Sequence, residues 1–113
     1  MQLSELDGEK DITLLYDGGT PERILSEVYC CDLLSHAMSH APAGCAWVTV
    51  TANENTLAVA KLREVSCVIF DEGIFPSPEL TSCAKEHGIA VAKTELPVYQ
   101  AARQIDDRIT GGD

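Results

Sequence analysis

CAWVTVTANENTLAVAKLREVSCVIF, residues 45–70, decides the fold of this chain. The stretch opens with residues 45–51, rich in Val and Thr, and closes with Cys67–Phe70, apolar at every position. β-Branched and aromatic side chains suit the pleated surface of a strand. A strand without polar alternation is buried on both faces, the condition of a parallel sheet covered by helices. Between the two runs, Asn53 or Asn55 stands at a helix start. Leu57, Ala60, Leu62 and Val65 are among the apolar positions of a helix running to about Glu64. Strand, helix and strand joined by short loops make a right-handed βαβ unit.

The same alternation extends outward. Downstream, residues 71–76 form a loop, and Ser77 caps a helix with Pro78 in first position and Glu79 in the first turn. Lys85, His87 and Gly88 supply its C-terminal chemistry. Residues 89–92 read as the last strand. Thr94 is then expected to cap a final helix carrying Val98, Ala101, Ala102, Ile105 and Ile109, and residues 110–113 form a loose tail. Upstream, Asp32 is expected to cap a helix with Leu33, Leu34, Ala37, Met38 and Ala41 on its apolar face, stopped at Pro42. Residues 28–31 form a short extended run. Ile12–Tyr16 reads as a strand closed by Asp17-Gly18-Gly19. The first ten residues read as a polar helical turn or a frayed end. The expected fold is α/β: one domain over residues 1–113, a small three-layer arrangement with a mainly parallel sheet of four or five strands and helices on both faces.

Composition excludes several classes. Eight Lys and Arg oppose 18 Asp and Glu, a formal net charge of −10. Such a surface repels phosphate backbones and anionic lipid, so no nucleic-acid or membrane partner is expected. No apolar run is long enough to span a bilayer, and the N-terminal MQLSELDGEKD is the opposite of a secretory signal. The five cysteines (Cys30, Cys31, Cys45, Cys67 and Cys83) are odd in number and lack C-x-x-C spacing. They are expected as reduced packing residues of a cytoplasmic protein.

The ordered motifs over residues 29–105 resemble the DRTGG domain family. They are Asp32-Leu33-Leu34-Ser35 with Met38, Trp47-Val48-Thr49-Val50, Asn55 with Leu57-Ala58-Val59-Ala60, and Cys67-Val68-Ile69-Phe70 with Gly73 and Pro76. Ala84 with Gly88-Ile89-Ala90-Val91 and Thr94 with Tyr99-Gln100-Ala101-Ala102-Arg103 complete the series. Of the motif that names the family, only Arg23 and the Ser26 hydroxyl stand in place. Two glycines, with the backbone freedom they confer, are missing. The resemblance implies a bacterial, non-enzymatic regulatory or ligand-sensing module that works as a dimer. Kinase relatives carry their phosphate-binding loop in a separate domain, and this chain has no Gly-rich Walker motif.

In parallel sheets, ligands bind outside the carboxyl ends of the strands. Those ends place Asp32, Asn53, Asn55, Asp71, Gly73 and Thr94 on one rim, and these are the candidate ligand-binding residues. No catalytic residue, metal ligand or cofactor is assigned. His36 and His40, at i and i+4, have the spacing of two metal ligands but no evident third. Ser35 and His36 are helix neighbours that do not face each other, so they form no nucleophile–base pair. The alternative function is a small metal-assisted hydrolase using the rim carboxylates. Expected partners are a second copy of the chain, with Phe75 at the interface, and a small-molecule ligand or regulatory protein.

Overall fold

The computed structural model describes residues 1–111. After an N-terminal 3-10 helix (Leu3–Gly8), the elements are β1 (Ile12–Tyr16), β2 (Val28–Cys30), α1 (Leu34–His40), β3 (Ala46–Thr49) and α2 (Glu54–Leu62). There follow β4 (Cys67–Phe70), α3 (Pro78–His87), β5 (Val91–Thr94) and α4 (Val98–Ile109). The five strands form one sheet in the order β1-β5-β4-β3-β2. Strands β2 to β5 are parallel neighbours, and β1 runs antiparallel beside β5.

Strand periodicity divides the core into two layers. Trp47, Val68, Phe70 and Val91 point to one face, where they pack with Ala37 of α1 and Ala41 just after it, Leu57 and Ala60 of α2, and Leu80 and Ala84 of α3. Ala46, Val48, Cys67, Ile69, Ala90 and Ala92 point to the other, against Ala101 and Ile105 of α4 and Leu3 and Leu6 of the 3-10 helix. Three successive right-handed crossovers in one direction must put α1, α2 and α3 on the same face. After β5 the chain returns to the opposite side, where the N-terminal 3-10 helix already lies. The three-layer α/β expectation is met, with a sheet that is parallel except at β1.

Several boundaries differ from the sequence reading. Of the two readings of the first ten residues the helical turn holds and the frayed end does not: Leu3 and Leu6 are fully buried, three positions apart, as the three-residue turn of a 3-10 helix requires. Asp32 does not cap α1. Leu33 holds the cap position without a side-chain bond, and the helix begins at Leu34. Around α1, Ala37 and the cap residue Ala41 are buried while Leu33 and Met38 are exposed. Strand β5 lies two residues later than residues 89–92, because the Ile89 amide is spent on the Ala84 carbonyl at the end of α3. Thr94 therefore ends β5, and Pro97 takes the cap position of α4. The other caps stand as read: Asn53 accepts from the Thr56 amide, Ser77 from the Leu80 amide, and Gly88 closes α3 in the left-handed region at φ 67°. Of the expected tail, residues 112–113 lie outside the described residues.

Cys45 and Cys67 are buried; Cys31 and Cys83 are partly exposed and Cys30 is exposed. Burial pushes the Cys45 thiol up to about 12 and raises Cys67 further still, so neither is a ready thiolate.

Candidate functional site

The C-terminal ends of β2 to β5 form the rim. Asp32, just beyond β2, reaches sideways to the next strand. Its Oδ1 accepts from Thr49 Oγ1 at 2.7 Å and from the Val50 amide at 2.9 Å. Its carbonyl accepts from Thr51 Oγ1 at 3.3 Å, and the neighbouring Cys31 carbonyl accepts from Trp47 Nε1 at 2.9 Å. The exit of β2 is thus fastened to the exit of β3 by four bonds. Thr49 stands in the Trp47-Val48-Thr49-Val50 motif but is not among the candidate site residues. Its partner is 17 residues away, and no local pattern announces the bond.

Asp71 follows β4. It is 1% exposed, and its Oδ1 has no hydrogen-bond partner among the described residues. Burial first, and then the negative charge of Asp32, raise its pKa above the ordinary 3.8. The same two carboxylates, after desolvation, push the Cys30 thiol up, so Cys30, Asp32 and Asp71 share one electrostatic neighbourhood. The sign for stability follows. A folded-state pKa above the unfolded value means that the folded protein keeps a proton the unfolded chain has lost. Stability then falls as pH rises through that interval, and the penalty is complete above it. Asp71→Asn is expected to be about 1–2 kcal/mol more stable than the unmodified chain at neutral pH. The gain should vanish once the pH falls below about 4, where both states are protonated. Urea unfolding at the two pH values checks this; an Asn variant no more stable at neutral pH would contradict it.

The remaining candidates form a second group. Glu72 and Gly73 both have positive φ, 58° and 77°, which folds the loop back over β5. The Glu72 amide donates to the Leu96 carbonyl and the Gly73 amide to the Thr94 carbonyl, each at 3.0 Å. Thr94 Oγ1 donates to the Asp11 carbonyl at 2.6 Å and accepts from the Leu96 amide at 3.1 Å. This is the place where one would look for a cleft. The β4 exit leads to α3 on one face and the β5 exit to α4 on the other, which is a topological switch point. Here the two loop bonds draw that crevice nearly shut, leaving about 40 Å³ beside Gly73, Phe75 and Thr94. Asn53 and Asn55 sit at the start of α2, where Asn53 is engaged as cap and Asn55 is exposed. The structure therefore puts Asp71 within the field of the Asp32 charge, bonds Gly73 to Thr94, and leaves the two asparagines on the adjacent helix end. A larger concavity, about 680 Å³, lies elsewhere, between α2 and α3.

Large apolar side chains concentrate around the rim. Leu33, Val50, Ile74, Phe75, Val98 and Tyr99 all follow the carboxyl ends of strands and are exposed, Phe75 to 73% and Tyr99 to 70%. Lys93 Nζ stands 4.7 Å from the centre of the Phe75 ring. His36 and His40 stack at 3.9 Å on exposed α1, and His40 Nδ1 lies 3.0 Å from the His36 carbonyl oxygen. No group of three or more His, Cys, Asp or Glu among the described residues is arranged to hold a metal ion. No helix among them is long and apolar enough to cross a membrane.

No protein-family model matches the sequence, and no curated protein matches it. Among solved structures, the chain is similar to the CBS and DRTGG domains of the regulatory region of Clostridium perfringens pyrophosphatase, complexed with its activator, diadenosine tetraphosphate. The TM-score is 0.76 at 18% identity, over 92% of this chain. The match covers 45% of the other chain, so this chain spans about half the length of that structure. With one mostly parallel five-stranded sheet between two helical layers, the fold of this chain is that of a DRTGG-like domain.

Proposed function

We propose that this chain is a non-enzymatic regulatory module that pairs with a second copy through its rim. A small ligand or a partner protein would be read there through Asp32, Asn53, Asn55, Asp71, Gly73 and Thr94. One observation carries the reading: a buried carboxyl oxygen without a hydrogen-bond partner, Asp71 Oδ1, on a rim that bears six exposed apolar side chains. Exposed apolar residues gathered in one region mark an interaction surface, and a buried polar atom without a partner calls for one. The similar pyrophosphatase region binds an activator, which favours a regulatory role over a catalytic one for this fold. The hydrolase alternative needs converging metal ligands, and nothing in the arrangement of the rim carboxylates favours it.

Sedimentation equilibrium at micromolar concentration tests the pairing. The expected species is twice the 12.2 kDa chain, and Phe75→Glu is expected to shift it to monomer. A clean 12.2 kDa species for the unmodified chain would refute the dimer. A fully dimeric Phe75→Glu would place the interface away from the rim. A thermal-shift screen against nucleotides, metabolites and metals, with turnover measured alongside, tests ligand sensing. Stabilisation without turnover supports the module, and metal-dependent hydrolysis lost in Asp71→Asn would replace it with the hydrolase.

A further inference from the structure

The α2–α3 face carries a feature that the rim does not explain, running from Asn55 at the rim to the opposite end of the molecule. Between α2 and α3 runs a groove of about 680 Å³, within the range of small-molecule sites. Its middle is apolar. Leu57, Ala58, Leu62 and Cys83 line it, and Leu62, the last residue of α2, is 66% exposed there. Toward the amino ends of the strands the groove meets a second, more polar cavity of about 390 Å³. The two share Lys61, Glu64 and His87, and Arg23 completes the polar one.

The polar end is rich in donors. Lys61 Nζ lies 3.5 Å from His87 Nδ1. Arg23 Nη2 donates to the Glu64 carbonyl at 2.8 Å, which fixes the guanidinium against the end of α2. Neither Arg23 nor Lys61 has a carboxylate within ion-pair distance among the described residues, where Arg108 makes both of the ion pairs. The Glu64 carboxylate shares the cavity. With Arg23 and Lys61 it leaves roughly one positive charge, the complement of a single negative one. Glu54, at the far end of the apolar stretch, disfavours an anion there and so sets the direction of the occupant.

We propose that this groove binds an organic monoanion with an apolar body. The body lies between α2 and α3 against Leu62 and Cys83. The carboxylate head is held by Lys61, His87 and Arg23. Arg23 belongs to the segment where the DRTGG motif would stand, so this end of the fold keeps a charged residue while the motif's glycines are gone. The groove's far end reaches Asn55 of the rim, but no rim apolar residue lines either cavity, so the anion site does not depend on pairing through Phe75.

The test uses decanoate, decanol and decyl phosphate on the full chain, below micelle-forming concentrations, with the far-UV dichroism monitored to confirm that the fold is intact. Decanoate is expected to bind roughly tenfold or more tightly than decanol, the effect of a charge-assisted head contact. It is also expected to slow alkylation of Cys83 while leaving Cys30 unchanged, read by peptide mapping. Lys61→Met should erase the preference for decanoate and leave decanol binding as it was. Equal binding of decanoate and decanol, or a Cys83 rate unmoved by saturating decanoate, would overturn the site. Decyl phosphate binding roughly tenfold more tightly than decanoate would overturn the monoanion assignment. The Phe75→Glu variant is expected to bind decanoate normally, so a failed dimer and a failed groove are read separately.

Discussion

Trp47→Ala is expected to lower the unfolding free energy by about 3–5 kcal/mol, the range for deleting a buried aromatic ring. Trp47 is fully buried in β3, in the core layer that also holds Ala37, Ala41, Leu57 and Ala60. Close-packed interiors relax only partly into such a void. The change also orphans the Cys31 carbonyl, which the indole N–H serves at 2.9 Å. A domain of this size has about 5–15 kcal/mol in total, so the variant should be near the edge of folding. Trp47→Phe keeps most of the ring and loses the hydrogen bond, and a smaller cost of about 1–3 kcal/mol is expected. Urea unfolding followed by far-UV dichroism gives both values. A Trp47→Ala midpoint close to that of the unmodified chain would show that the ring does not support the helical layer.

Asp32→Ala carries the second large effect, about 2–3 kcal/mol, from two hydrogen bonds to a charged acceptor. The loss leaves the fully buried Thr49 hydroxyl and the Val50 amide without their acceptor. Relief of the repulsion with Asp71 offsets part of it. Asp32→Asn keeps an acceptor oxygen and should cost less. A double-mutant cycle with Thr49→Val isolates the mechanism. Coupling of about 1 kcal/mol is expected if the carboxylate clamps β3, and none if Asp32 acts only on the helix that follows it.

That difference marks where the sequence could and could not be read. The parallel core was legible because residues 45–51 and Cys67–Phe70 state their burial in their own composition. Caps whose partner is three residues away, Asn53 and Ser77, were legible too. Asp32 has the composition of a cap and spends its oxygen on a residue 17 positions away, so local pattern points the wrong way. Thr94 fails for the same reason, with the Asp11 carbonyl 83 positions distant. The antiparallel placement of β1 was hidden because a short apolar run such as ITLLY carries no direction. Leu3 and Leu6 could have been found, since their three-residue spacing is the signal of the helix they form. Of the candidate site, the strand ends were legible, and the closed crevice at Gly73 and Thr94 was not. It depends on two backbone bonds that no side chain encodes.

Arg108, near the end of α4, pairs with Glu5 and Glu9 of the first segment, across 103 and 99 positions of chain. The points where the chain enters and leaves this fold are therefore side by side. A unit whose entrance and exit coincide can be spliced into a surface loop of a larger protein without stretching either flank, as inserted domains require. The host's two loop ends would be held together by the guanidinium and its carboxylates. Any rearrangement that pulled Arg108 from Glu5 and Glu9 would then reach the host as a change in the spacing of its own loop.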